Sequence, residues 1–153
     1  MKRIQLADSN RESIETVRLP NIEAVHRLIN QGMPETQTLD FKRELSLTGT
    51  PKRRSTQKER RELLKDLSGM GNGGGGTVVF GIDEEEGIAE SVTPLTDVGL
   101  VGVLHDVVRD GIRPPLLYEY APYDCETGYV LVVDVEPSAL GPYQVYAYDD
   151  PSY

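Results

Sequence analysis

Asp40, Phe41 and Lys42 place a carboxylate and an ammonium two residues apart. In an extended strand that spacing puts both on one face and turns Phe41 to the other. Metal-dependent phosphodiester cleavage uses such a pairing, because a carboxylate holds Mg²⁺ or Mn²⁺ while a cation offsets charge at the scissile phosphate. Asp83 closes the apolar run TVVFGID, a place from which a side chain reaches the rim of a sheet. If the two strands are neighbours, Asp40 and Asp83 converge on one ion. The plainer alternative is a surface ion pair of little energetic weight at Asp40 and Lys42, with an Asp83 that only opens a turn.

These residues need a scaffold, and the stretch from Thr56 to Asp83 is the one around which the chain is organised. Leu63, Leu64 and Leu67 recur at the spacing of one buried helical face. Gly69, Gly71 and Gly73 to Gly76 are expected to stop that helix and reverse the chain into TVVFGI, which is apolar on both faces and so belongs in the middle of a sheet. A nucleotide-cradling loop runs strand, glycines, helix, whereas here the order is helix, glycines, strand, and no lysine follows the glycines. Walker A and Rossmann sites are thereby excluded, and no nucleotide cofactor is expected. Asn72 suits the left-handed conformation at a helix end, with contact to a bound strand as a second role.

The remaining chain reads as alternating elements. Residues 1–20 form a polar lead-in with scattered apolar residues, and residues 21–153 a single domain. Asn21 caps a helix with Ile22, Val25, Leu28 and Ile29 on its apolar face, closed by Gly32. Thr36 to Glu44 alternates as a strand, with Leu39 and Phe41 opposite Asp40, Lys42 and Glu44. A polar basic loop follows over residues 46–55. After the central strand come an acidic turn at Glu84 to Glu86, a helix from Leu95 to Arg109 that includes Val98 on its apolar face, and strands over Leu116 to Ala121 and Tyr129 to Val135. The late tyrosines read as packing before base stacking. His26 and His105 read as ordinary helix residues, which argues against a histidine-based metal site.

Several ordered blocks resemble the Schlafen-type Alba-like domain, a family described both as DNA-binding and as divergent ATPases. They are Glu35, Leu39-Asp40-Phe41-Lys42, Leu64-Lys65-Asp66-Leu67-Ser68, Asn72 and Gly75-Gly76-Thr77-Val78-Val79-Phe80-Gly81-Ile82-Asp83. The resemblance covers roughly residues 30–140, with Gly69 and Gly71 standing where the family usually has alanines. It implies an α/β (α+β) fold with a mixed sheet and packed helices, and a chain that runs on past Tyr153 into further structure. In members that cleave transfer or ribosomal RNA, three carboxylates occupy the positions that match Glu35, Asp40 and Asp83. Glu35 enters the expected metal set on that ground alone, since strand parity does not fix its direction. Asp40 replaces the usual glutamate, an arm shorter by one carbon–carbon bond.

Composition sets the outer limits. The single Cys125 precludes an internal disulfide framework, no apolar run approaches membrane-spanning length, and a cytoplasmic protein away from the membrane is expected. The net charge of -9 would oppose nucleic-acid binding, but it is unevenly placed. From Lys42 to Lys65 nine bases face three acids, whereas from Asp83 onward fifteen acids face only Arg109 and Arg113. Lys42, Arg43, Lys52, Arg53, Arg54, Lys58 and Arg61 would therefore hold a polyanion's backbone. The leading expectation is a nucleic-acid-interacting domain, favouring RNA over sequence-read duplex DNA, in which Glu35, Asp40 and Asp83 bind Mg²⁺ or Mn²⁺ and Lys42 assists a metal-dependent endoribonuclease. The rivals are a non-catalytic binding or regulatory module and a protein-interaction domain, the latter including a homodimer.

Overall fold

The structure, a computed structural model, describes residues 17–45, 47 and 54–146. Helix α1, Ile22–Asn30, begins as its sequence dictates: the Asn21 side chain accepts from the Ala24 N–H at 2.9 Å. Strand β1 is Leu39–Lys42, followed by helix α2, Arg54–Asn72, and strand β2, Gly76–Phe80. Strands β1 and β2 run parallel, a pairing that needs a crossover, and α2 is that crossover. Strands β3, Ile82–Glu85, and β4, Ile88–Val92, form a hairpin, after which come helix α3, Leu100–Gly111, and the short strand β5, Ile112–Arg113. Strands β6, Tyr118–Asp124, and β7, Tyr129–Val135, make a second hairpin, and β8, Gln144–Val145, returns to pair with β5.

The main sheet has the order β1-β2-β7-β6, with β1 and β2 parallel and the rest antiparallel. Strand alternation divides its apolar residues between two cores. Val78, Phe80, Leu131, Val133 and Val135 face Leu63, Leu64 and Leu67 of α2 and Leu104, Val107 and Val108 of α3. Leu39, Phe41, Val79, Val130 and Val132 face Ala24, Val25 and Leu28 of α1 together with Ile82 and Ala89 of the β3–β4 hairpin. Strands β2 and β7 are therefore covered on both sides, which is why their sequences read as unbroken apolar runs. The mixed α+β architecture is as expected. The four-residue β1 is shorter than the strand read over residues 36–44, because a local bridge between Thr36 and Leu39 occupies its start.

Gly69 and Gly71 do not end α2, contrary to expectation; the helix runs to Asn72. Gly71 is a packing residue instead, since a Cβ there would lie 2.5 Å from the Tyr143 ring. The turn proper depends on Gly75, where φ is +93° and a Cβ would approach the Val135 carbonyl to 2.8 Å. The expected acidic turn at residues 84–86 is largely strand: β3 continues through Glu85, and the reversal falls on Glu86 and Gly87, with φ of 52° and 79°. Two consecutive positive φ values make the two-residue turn that suits strand twist, so β4 follows at once. Helix α3 starts five residues later than its periodicity suggests. Leu95 is held in an antiparallel bridge to Tyr129, and Val98, 90% exposed, precedes the helix rather than packing beneath it. The strand read from Leu116 to Ala121 lies instead at residues 118–124. Within the lead-in, Leu19 is buried and its carbonyl accepts from Tyr123 Oη at 2.6 Å.

Candidate functional site

Strand β1 lies at one edge of the main sheet, and its alternation sorts the candidate residues. Leu39 and Phe41 are buried, while Asp40 and Lys42 are half-buried on the opposite face, as their spacing requires. Glu35 is fixed from two directions. Its backbone N–H donates to the Gly87 carbonyl at 2.7 Å, and its Oε2 accepts from the Phe41 N–H at 3.0 Å. A carboxylate thus satisfies a strand amide that would otherwise lack a partner, and the same contact turns Glu35 toward Asp40.

Burial first, then the close polar approach of Asp40 and the charges of Asp40 and Glu84, raise the Glu35 carboxyl from 4.5 to about 7, against the opposing pull of the Phe41 amide. A proton shared between two acids, or a cation in its place, is what such an arrangement favours.

Lys42 is the second junction. Its Nζ lies 3.3 Å from Asp40 Oδ2 and 2.9 Å from Asp66 Oδ2 of α2. Burial alone would lower the ammonium, but the Asp66 hydrogen bond and the charges of Asp40 and Asp66 outweigh it and raise its pKa above the ordinary value. A hollow of about 140 Å³ beside it is lined by Glu44, Glu59, Glu62 and Asp66 together with Leu45, Leu47, Leu63 and Phe80. Lys42 is thus compensated by acids from β1 and α2 while its side chain stays half-exposed.

Helix α2 separates its charges by face. Glu59, Glu62 and Asp66 fall on the stripe facing that hollow, and Lys58, Arg61 and Lys65 on a neighbouring stripe well away from the buried leucines. Lys58 and Lys65 are exposed and Arg61 is half-buried. Arg60 donates to the Leu47 carbonyl at 2.9 Å, tying the helix back to the segment that follows β1. Arg43 is exposed beyond β1, and Arg54 opens α2. Lys52 and Arg53 lie outside the described residues. Asn72 is engaged at both ends of its amide, accepting from the Tyr143 N–H at 2.7 Å and donating to the Tyr143 carbonyl at 3.0 Å. That clamp holds the segment before β8 against the end of α2.

Asp83 is placed otherwise than Glu35 and Asp40. It pairs with Ser91 across the β3–β4 hairpin, where the register shifts between Asp83 and Glu84. Its charge acts on Glu90, as does that of Glu85, whereas the neighbouring Glu84 acts on Glu35. Among the described residues no three His, Cys, Asp or Glu side chains gather into a group able to hold a metal. The Glu35–Asp40 pair by itself fits the donor set of a hard divalent cation that takes one or two carboxylates and fills its remaining positions with water and phosphate. Glu84 and Asp66 are the residues that sequence reasoning did not bring to the site. Strand alternation past Ile82 offered a signal for Glu84, but none was available for Asp66 before α2 was laid across the sheet.

A family model described as Schlafen, AlbA_2 matches residues 35–153, and the chain belongs to that family. Membership places it among nucleic-acid-related domains. Among solved structures, it is similar to the N-terminal domain, determined by NMR in solution, of a protein from Nitrosomonas europaea named as related to the ATP-dependent DNA helicase RecG. The TM-score is 0.53 at 16% identity, with 82% of each chain covered, a likeness of fold alone. A crystal structure of the DIP2311 protein from Corynebacterium diphtheriae is also similar, with a TM-score of 0.45 at 18% identity over 77% of this chain and 26% of that one. No curated protein matches the sequence. No helix among the described residues is long and apolar enough to cross a membrane.

Proposed function

We propose that this domain binds nucleic acid through the outward stripe of α2, and that single-stranded or structured RNA is preferred to sequence-read duplex DNA. The observation that carries the reading is the stripe itself. Lys58 and Lys65 stand exposed two turns apart over a rise of about 10 Å, with the half-buried Arg61 between them and the acids of the same helix turned aside toward Lys42. The exposed groups of that stripe are the ammonium ends of Lys58 and Lys65, point charges that suit backbone contact rather than the reading of base edges in a groove.

The test is fluorescence anisotropy with a single-stranded RNA, a transfer RNA and duplex DNA across a salt series. Lys58→Glu combined with Lys65→Glu should weaken RNA binding by roughly tenfold or more and flatten the salt slope by about two. Absence of salt-sensitive binding at low ionic strength would overturn the proposal in favour of a protein-interaction domain.

A second reading rests on the Glu35–Asp40 pair. In it the domain is a metal-dependent endoribonuclease: Glu35 and Asp40 hold Mg²⁺ or Mn²⁺, which would supply an activated water and charge stabilisation at the phosphate. Asp83 would join only through a change in the β3–β4 hairpin. Manganese-dependent cleavage of transfer RNA that is lost in Asp40→Asn and kept in Asp97→Ala supports this reading; binding without cleavage leaves the module.

A further inference from the structure

Asp66 has no part in the proposed binding stripe, yet it makes the shorter of the two ion pairs at Lys42. It stands on α2 one turn past Glu62, and its carboxylate joins that helix to Lys42 at the end of β1. The resulting contacts run from Asp66 to the Lys42 ammonium and on to Asp40, and the Phe41 amide between Asp40 and Lys42 in sequence holds Glu35. Lys42 at their centre is half-buried with a carboxylate on either side, whereas Asp66 at their end is exposed. An ammonium held by one carboxylate alone would be free to swing, because lysine is a compact charge on a flexible four-carbon stem. Held by two, it is fixed in place.

We propose that Asp66 is a positioning residue for the carboxylate pair: from the nucleic-acid helix it holds Lys42 against Asp40, and so fixes the orientation of Asp40 toward Glu35. The proposal deepens the reading of α2 as the binding helix, since it joins that helix mechanically to the carboxylates at the sheet edge. It also opposes two effects that a merely repulsive acid would not separate. Loss of the Asp66 charge removes a negative group from a helix that would carry a polyanion, so binding tightens. The same loss releases Lys42 and disorders the pair.

The experiment compares Asp66→Asn with Glu62→Gln, which removes an equivalent charge from the same side of α2, and with Asp66→Glu, which keeps the charge. RNA affinity should rise about twofold in both neutral variants, as expected for one fewer like charge. The Asp40 and Glu35 side-chain carboxyl carbon resonances, followed by NMR at fixed pH, should move in Asp66→Asn, stay in place in Glu62→Gln and return toward wild type in Asp66→Glu. Resonances that stay in place in Asp66→Asn, in a variant shown to be folded by its amide spectrum, overturn the proposal. So does an equal displacement in Glu62→Gln, which would reduce Asp66 to one charge among several. Because the carboxyl readout needs neither RNA nor metal, it decides the role of Asp66 even if wild-type protein binds no RNA, an outcome that would instead defeat the proposed function.

Discussion

Among the described residues, Glu35 beside Asp40 and Glu90 beside Glu85 are pairs of carboxyl groups that crowd one another. In both, crowding of like charge raises a pKa. The causes rank differently: burial leads at Glu35, whereas the close polar approach of Glu85 leads at the fully exposed Glu90. Glu35 is anchored by two backbone contacts and is linked through Asp40 to Lys42 and α2. Glu90 stands on a hairpin strand with open solvent around it. Proximity of acids is thus common to both places, while a fixed and desolvated geometry belongs to one. Only the latter would hold an ion without first having to order itself.

The sharpest way to break that contrast is to offer both pairs a cation. Glu35→Gln or Asp40→Asn should weaken Mn²⁺ binding by roughly tenfold or more, while Glu85→Gln and Glu90→Gln change it by less than about twofold. Paramagnetic broadening of the amides of Phe41 and Ala89 reports the two sites separately. Equal losses at both pairs would erase the distinction.

A smaller effect is expected in the stability of the apo protein. In the unfolded chain Glu35 ionises near 4.5, and the fold retains its proton up to about 7. The folded state therefore binds more protons between those values, and stability falls as pH rises through that window. Glu35→Gln keeps an oxygen for the Phe41 amide and offers a donor to Asp40, so it should remove this slope. We expect it to gain about 1 kcal/mol over wild type at pH 8 relative to pH 4, after allowance for solvent screening, as read from denaturant midpoints. Glu90→Gln should change the slope in the same direction but by less, because its pair stands exposed and is screened by solvent.

The smallest effect is salt. In about 1 M salt, where the screening length falls to about 3 Å, the elevation at Glu90 should shrink more than that at the half-buried Glu35, because salt screens charge but does not reverse desolvation. Carboxyl titrations by NMR at low and high salt measure both. Collapse of the Glu35 elevation in salt would show that charge, not burial, governs it.

Much of the scaffold was legible because local chemistry and long-range packing agree there. Asn21 caps α1, Leu63, Leu64 and Leu67 face the core, and the apolar run of β7 begins and ends where its sequence does. Where they disagree, packing wins. Gly71 continues a helix that its propensity opposes because Tyr143 needs the space, and Leu95 leaves its helical pattern to bridge Tyr129. The β3–β4 hairpin was hidden in a run of acids, where a turn with two positive φ values carries no Asn-Gly signature.

At the site, the division is similar. Period-two alternation alone put Asp40 and Lys42 on one face and Phe41 behind them, and charge counting alone marked residues 42–65 as the cationic segment. That Glu35 meets Asp40, that Glu84 rather than Asp83 acts on Glu35, and that Asp66 takes hold of Lys42 depend on how a hairpin and a crossover helix are laid against one sheet edge. Strand geometry is a property of neighbouring residues and can be read along the chain. The meeting of side chains separated by turns and a helix is set by the packing of whole elements, which no local pattern encodes.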